Sequence, residues 1–203
     1  MIKNYFIISS IIFFLFLLST GCTNSSDKMA TISVNSDSEY VNTFEDLNLG
    51  ILFDFNFTLP NADKRWVNLW VERYIDGEIE QYPLTQLSYG ISPNEVEEGH
   101  LGFGMINPNS EDTLVFLYGP AVRSQPSIIE KEPKTDSISS WDYAIGNEEV
   151  ELEIGETKIL AAYRETESNS IRTVDLQDEE SVNRMIKQDN MVLLLKVKIE
   201  EEN

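Results

Sequence analysis

Ile51-Leu52-Phe53-Asp54-Phe55-Asn56-Phe57-Thr58-Leu59 is the stretch on which the fold class turns. Ile51, Phe53, Phe55, Phe57 and Leu59 recur with period two, the spacing of one face of a strand. Asp54, Asn56 and Thr58 take the other face, with Leu52 among them. Pro60-Asn61-Ala62-Asp63 ends the run. One apolar face and one mostly polar face suit an antiparallel sheet that covers a core on one side.

Downstream, Trp66 to Leu84 reads as a hairpin. Asp76-Gly77 suits a two-residue type I′ turn, where both central residues need φ > 0. Counting back from it pairs Ile75 with Glu78, Tyr74 with Ile79, Arg73 with Glu80, Glu72 with Gln81, Val71 with Tyr82, Trp70 with Pro83 and Leu69 with Leu84. Pro83 lacks an N–H, which puts it at an edge or a strand end. Thr31–Val34, His100–Ile106, Thr113–Tyr118, Glu149–Ile154, Thr157–Arg164 and Met191–Glu200 complete a set of about nine strands. The last looks buried on both faces in its first half and on one face in its second. Gly119 to Asn147, with Pro120, Pro126 and Pro133, reads as a long loop with a short element near Trp141-Asp142-Tyr143.

One helix is predicted. Asp178 caps it, Glu179 and Glu180 fill its first turn, and Val182, Met185 and Ile186 form its apolar face. It is expected over one end of the sheets, joining Thr157–Arg164 to the last strand. The expectation is a mainly β, single β-sandwich-like domain with one C-terminal helix before the last strand. An open barrel is the alternative.

Composition narrows the function classes. The chain of 203 residues carries 35 Asp+Glu against 15 Lys+Arg, a formal charge of −20, with one His and one Cys. That balance argues against nucleic acid, whose phosphates need clustered Lys and Arg. One Cys excludes an intramolecular disulfide framework and any multi-Cys zinc site. No cofactor or metal is expected. Asn107 to Asp112 is rich in Asn and Asp but lacks the ligand spacing of a calcium loop. His100 reads as a structural strand residue. Gly99, Gly102 and Gly104 around it precede no helix that would meet a phosphate.

The aromatic pattern is the candidate site. Trp66, Trp70, Glu72 and Tyr74 share one face of the hairpin's first strand, and Val67, Leu69 and Val71 on the other face can serve as core. Flat rings interleaved with hydrogen-bonding groups suit sugar rings, peptides or a protein partner. The competing reading has both faces buried, with the Gly119–Asn147 loop over the tryptophans.

The N-terminus supplies an address. Lys3 precedes an apolar stretch from Phe6 to Leu18, shorter than a spanning helix needs, and small residues follow. Leu18-Ser19-Thr20-Gly21-Cys22 resembles the lipobox of bacterial lipoproteins, with Leu18 one place further out than the usual Leu. The resemblance implies cleavage after a signal peptide of residues 1–21 and lipidation of Cys22 with acyl chains such as palmitate. Residues 22–30 would then be a polar tether, and residues 31–203 the β-sandwich. The mature part resembles small lipoproteins of Gram-positive, Bacillus-type bacteria, in style and without an activity motif. The expectation is a protein anchored by the Cys22 lipid on the extracytoplasmic face of the cell membrane. It would be a non-catalytic binding or accessory module whose partner is an envelope polymer, a peptide or a membrane protein. The alternative is an envelope hydrolase using acidic residues such as Glu72 or Asp54.

Overall fold

The computed structural model describes residues 28–130 and 137–202. Two antiparallel sheets face each other across one core, as expected for a sandwich. The first has the order β11-β1-β2-β6-β7-β8, with β9 also on β7. Its strands are β1 (Ala30–Val34), β2 (Gly50–Pro60), β6 (Val96–Ile106), β7 (Asp112–Gly119), β8 (Val122–Arg123), β9 (Ser127–Glu130) and β11 (Val150–Leu152). The second has the order β10-β12-β13-β3-β4, with β5 also on β3. It is built from β3 (Arg65–Ile75), β4 (Glu78–Ile79), β5 (Thr85–Gly90), β10 (Ile138–Tyr143), β12 (Thr157–Thr166) and β13 (Met191–Glu201).

The period-two pattern of β2 is realised in packing. Ile51, Phe53, Phe55, Phe57 and Leu59 are all buried against the other sheet, where Val67, Leu69 and Val71 of β3 and Leu193, Leu195 and Val197 of β13 meet them. Each such side chain contributes about 1.5–3 kcal/mol by leaving water.

Two helices lie on the outer faces of the sheets. Helix α2 (Glu179–Gln188) is capped by Asp178, whose side chain accepts from the Ser181 N–H at 2.9 Å. Its Val182, Met185 and Ile186 pack on Val192 and Leu194 of β13. It therefore covers part of an outer sheet face rather than an end of the sandwich. That cover explains why Met191 to Leu195 are buried on both sides while the rest of β13 alternates. Helix α1 (Glu39–Asp46) was not anticipated. Ser38 caps it, accepting from the Val41 N–H at 3.2 Å.

Among the described residues thirteen strands form, more than the roughly nine expected. The extra ones are short. Three fall in the Gly119–Asn147 stretch, where β8 and β9 pair with β7 and β10 pairs with β12. The hairpin differs as well. Asp76 (φ 49°) and Gly77 (φ 88°) form the turn, and Ile75–Glu78 and Tyr74–Ile79 pair as expected. The Glu80 N–H reaches the Arg73 carbonyl at 2.9 Å, and the two side chains form an ion pair at 3.6 Å. Beyond this point the pairing slips by three residues: Val71 faces Thr85, Trp70 faces Gln86 and Leu69 faces Leu87. The pairings of Glu72, Val71, Trp70 and Leu69 with Gln81, Tyr82, Pro83 and Leu84 are therefore not formed. Pro83 offers no N–H to the ladder, so the chain loops out around it and leaves Tyr82 72% exposed.

Candidate functional site

The expected aromatic face exists on the outside of the second sheet. Val67, Leu69 and Val71 point inward and are buried, which turns Trp66, Asn68, Trp70, Glu72 and Tyr74 outward. Trp66 stands between Gly90 of β5 and Glu200 of β13, and Trp70 between Gln86 and Lys196. Trp66 is 39% exposed and Trp70 half-buried. The Gly119–Asn147 stretch does not cover them. Its β10 forms the opposite edge of this sheet, and its β8 and β9 belong to the other sheet.

Glu72 organises this face. It accepts from Lys196 Nζ (2.7 Å), Tyr74 Oη (2.6 Å) and Trp70 Nε1 (3.2 Å). Burial by itself would raise its carboxyl, but the three donors outweigh it and hold the group below its ordinary value. Burial and the adjacent carboxylate raise the Tyr74 phenol. Tyr74 also packs against the cluster under α2, so it supports the face more than it offers itself to a ligand. A second set of polar contacts runs beside the tryptophans. Asn68 donates to Glu200 at 2.8 Å, Ser88 donates to Asn68 at 2.7 Å, and Lys198 donates to Glu200 at 2.6 Å.

The same end of the sheet holds the start of the described chain. Arg65, fully buried beside Trp66, donates from Nη1 to the carbonyls of Lys28 (2.8 Å) and Pro60 (3.0 Å). Its Nη2 reaches Glu201 at 3.3 Å. Cys22 lies outside the described residues.

A second cluster sits on the outer face of the first sheet, under α1. Asp54 is 0% exposed and pairs with His100 Nδ1 at 2.8 Å. Tyr118 Oη donates to it at 2.9 Å. Burial first, and then the Asp54 charge, push the Tyr118 phenol up. The His100 ring lies 4.6 Å from that of Tyr40 on α1. Gly102 faces Asp54 across the strands, and a Cβ there would collide with the Tyr118 ring, so a side chain at this position is incompatible with the cluster. His100 is therefore more than the structural strand residue expected from the sequence, since it pairs with Asp54. The signal lay in the outward-facing Asp54 opposite Gly102, and in the i, i+4, i+7 spacing of Tyr40, Phe44 and Leu47. Asp54 itself is sealed from solvent behind His100 and Tyr118. No serine or threonine hydroxyl hydrogen-bonds His100 among the described residues.

Among the described residues no His, Cys, Asp and Glu group together as a metal site, and no helix is long and apolar enough to cross a membrane. Comparison with family models, curated proteins and solved structures finds no match to this chain.

Proposed function

We propose that this protein is a lipid-anchored, extracytoplasmic binding module of the cell envelope, with its ligand face at Trp66 and Trp70. The observation that carries this reading is the outward placement of exposed Trp66 and half-buried Trp70 over a core already closed beneath them by Val67, Leu69 and Val71. Neighbouring apolar rings rimmed by polar groups mark an interaction surface where a single exposed ring does not. Asn68 stands between the rings, the Lys198–Glu200 pair lies beside Asn68 and Trp66, and the Lys196–Glu72 pair lies beside Trp70, so that polar directions are fixed around both rings. Flat apolar faces flanked by directed polar groups match a sugar ring, so an envelope polysaccharide is the preferred partner class.

The tether reading fits this position. Five residues separate Cys22 from Lys28, and the six fully extended steps between them reach about 20 Å. Arg65 ties Lys28 to the end of the sandwich that carries Trp66, so a lipid on Cys22 would keep this face near the membrane surface. Repulsion between the acidic body and anionic lipid would hold the body off the bilayer itself.

Co-sedimentation of the protein with isolated envelope polymers tests the reading. Trp66→Ala and Trp70→Ala should weaken retention, with a loss of ~2 kcal/mol for the better-placed ring. Retention unchanged in both variants would remove the aromatic face as the site. The hydrolase alternative finds little support in its named acids. Glu72 is held ionised by three donors, and Asp54 is sealed behind Tyr118 and His100.

A further inference from the structure

We propose that a cavity of about 350 Å³ between α2 and the segment following β12 binds a phosphate group of a small molecule or headgroup. Three of the chain's six arginines, Arg164, Arg172 and Arg184, line it. In a protein of formal charge −20, basic side chains have carboxylates available nearly everywhere. Here they converge with a single carboxylate, Asp189, among them.

Arg164 forms the floor and is 5% exposed. Its Nη1 donates to Asp189 at 3.4 Å and its Nη2 to the Arg172 carbonyl. Its remaining N–H groups bond nothing among the described residues. A guanidinium carries five N–H donors in a planar fork, so this side chain has donors left over at the cavity it lines. Arg172 and Arg184 are exposed at the rim and form no ion pair with any described carboxylate. The hydroxyl-bearing Ser170 and Ser181 complete the lining.

Among the lining side chains three guanidiniums stand against one carboxylate, an excess of positive charge that Asp178, acting on Arg184 at the rim, reduces without cancelling, and that suits a phosphate anion. The number of donors also exceeds what a carboxylate's two oxygens can accept, whereas a tetrahedral phosphate presents three terminal oxygens to bidentate forks. The acidic body repels a dianion at long range, so binding at this place requires the local reversal of charge.

Calorimetric titration of the intact protein tests this, in neutral detergent for the soluble probes and after detergent removal for the vesicles, at ionic strength held constant with chloride. The probes are inorganic phosphate, glycerol phosphate, acetate, and phosphatidylcholine vesicles with and without phosphatidic acid. Phosphate or glycerol phosphate should bind, and Arg172→Gln or Arg184→Gln should each weaken binding by about tenfold. Both substitutions are at exposed positions, so circular dichroism should be unchanged. Binding of the phosphatidic acid vesicles alone, lost in the same variants, supports the site with a lipid headgroup as its source. The proposal is overturned if acetate binds as well as phosphate, if no phosphate probe binds, or if Arg172→Gln/Arg184→Gln binds like the parent. The Trp66 and Trp70 variants should leave phosphate binding intact, which separates this site from the aromatic face.

Discussion

At the residue scale, the consequences rest on single side chains whose surroundings are unequal. Gly77 holds φ 88° at the hairpin turn, and a Cβ there would meet nothing closer than 3.6 Å. The penalty of Gly77→Val is therefore one of backbone conformation, about 1–2 kcal/mol, read as a lower thermal midpoint with the fold retained. Trp66 and Leu69 are three residues apart on one strand but on opposite faces. Leu69→Ala empties a buried site and should cost about 2–5 kcal/mol, whereas Trp66→Ala should cost well under half of that. Equal losses in denaturant titrations would show that Trp66 is packing. Glu72 gives a pH signature. Its folded carboxyl titrates below its ordinary value of 4.5, so the stability it contributes is complete above that value and is lost as pH falls through the lower folded value. Thermal midpoints of the parent and Glu72→Gln should run parallel above about pH 5 and converge at more acidic pH. Parallel curves throughout would show that the Lys196, Tyr74 and Trp70 contacts do not favour the charged form.

At the element scale, α1 and the Pro83 loop show how local signals are overruled. Helix α1 is eight residues long, too short to persist alone in water. It is held by the Ser38 cap and by Tyr40 and Phe44 against the aromatic layer of Phe116, Tyr118 and His100. Ser38→Ala should destabilise it by about 1 kcal/mol, and amide exchange should quicken first in residues 39–46. Exchange that quickens across both sheets instead would mean that α1 does not open on its own. The hairpin was legible for the three pairs nearest its turn, because turn chemistry dictates register only locally. Farther out, β5 chooses its partners on β3 by burial. Thr85 and Tyr89 are buried, and the chain between Glu80 and Leu84 loops out to allow it. For the same reason β8 and β9 are not legible in the sequence, and β10 is legible only as a short element near Trp141-Asp142-Tyr143. Two to six residues carry too little periodicity to read, and an edge pairing needs only an accessible neighbour.

At the scale of the whole molecule, one sulfur atom governs location under the lipoprotein reading. Cys22→Ala should block processing, leave a heavier precursor and release none of the mature form to the membrane fraction. Mass spectrometry that finds a free Cys22 thiol in the parent protein would end that reading. The sandwich class, the inward and outward faces of β2, β3 and β13, and helix α2 with its cap were all determined by the sequence itself. They rest on periodicity, turn chemistry and capping, which act within a few residues. The outward direction of the tryptophans also follows from alternation along one strand, but their exposure does not. That depended on where the Gly119–Asn147 stretch would go, and it went to the far edge of one sheet and to the other sheet. Distant partners decided the rest. Asp54 meets His100 across 46 positions of sequence, and Glu72 meets Lys196 across 124. Arg164, Arg172 and Arg184 line one cavity because β12, the segment after it and α2 fold together there. Spacing along a chain carries no record of such meetings, since they are set by how the two sheets and the helices on them pack.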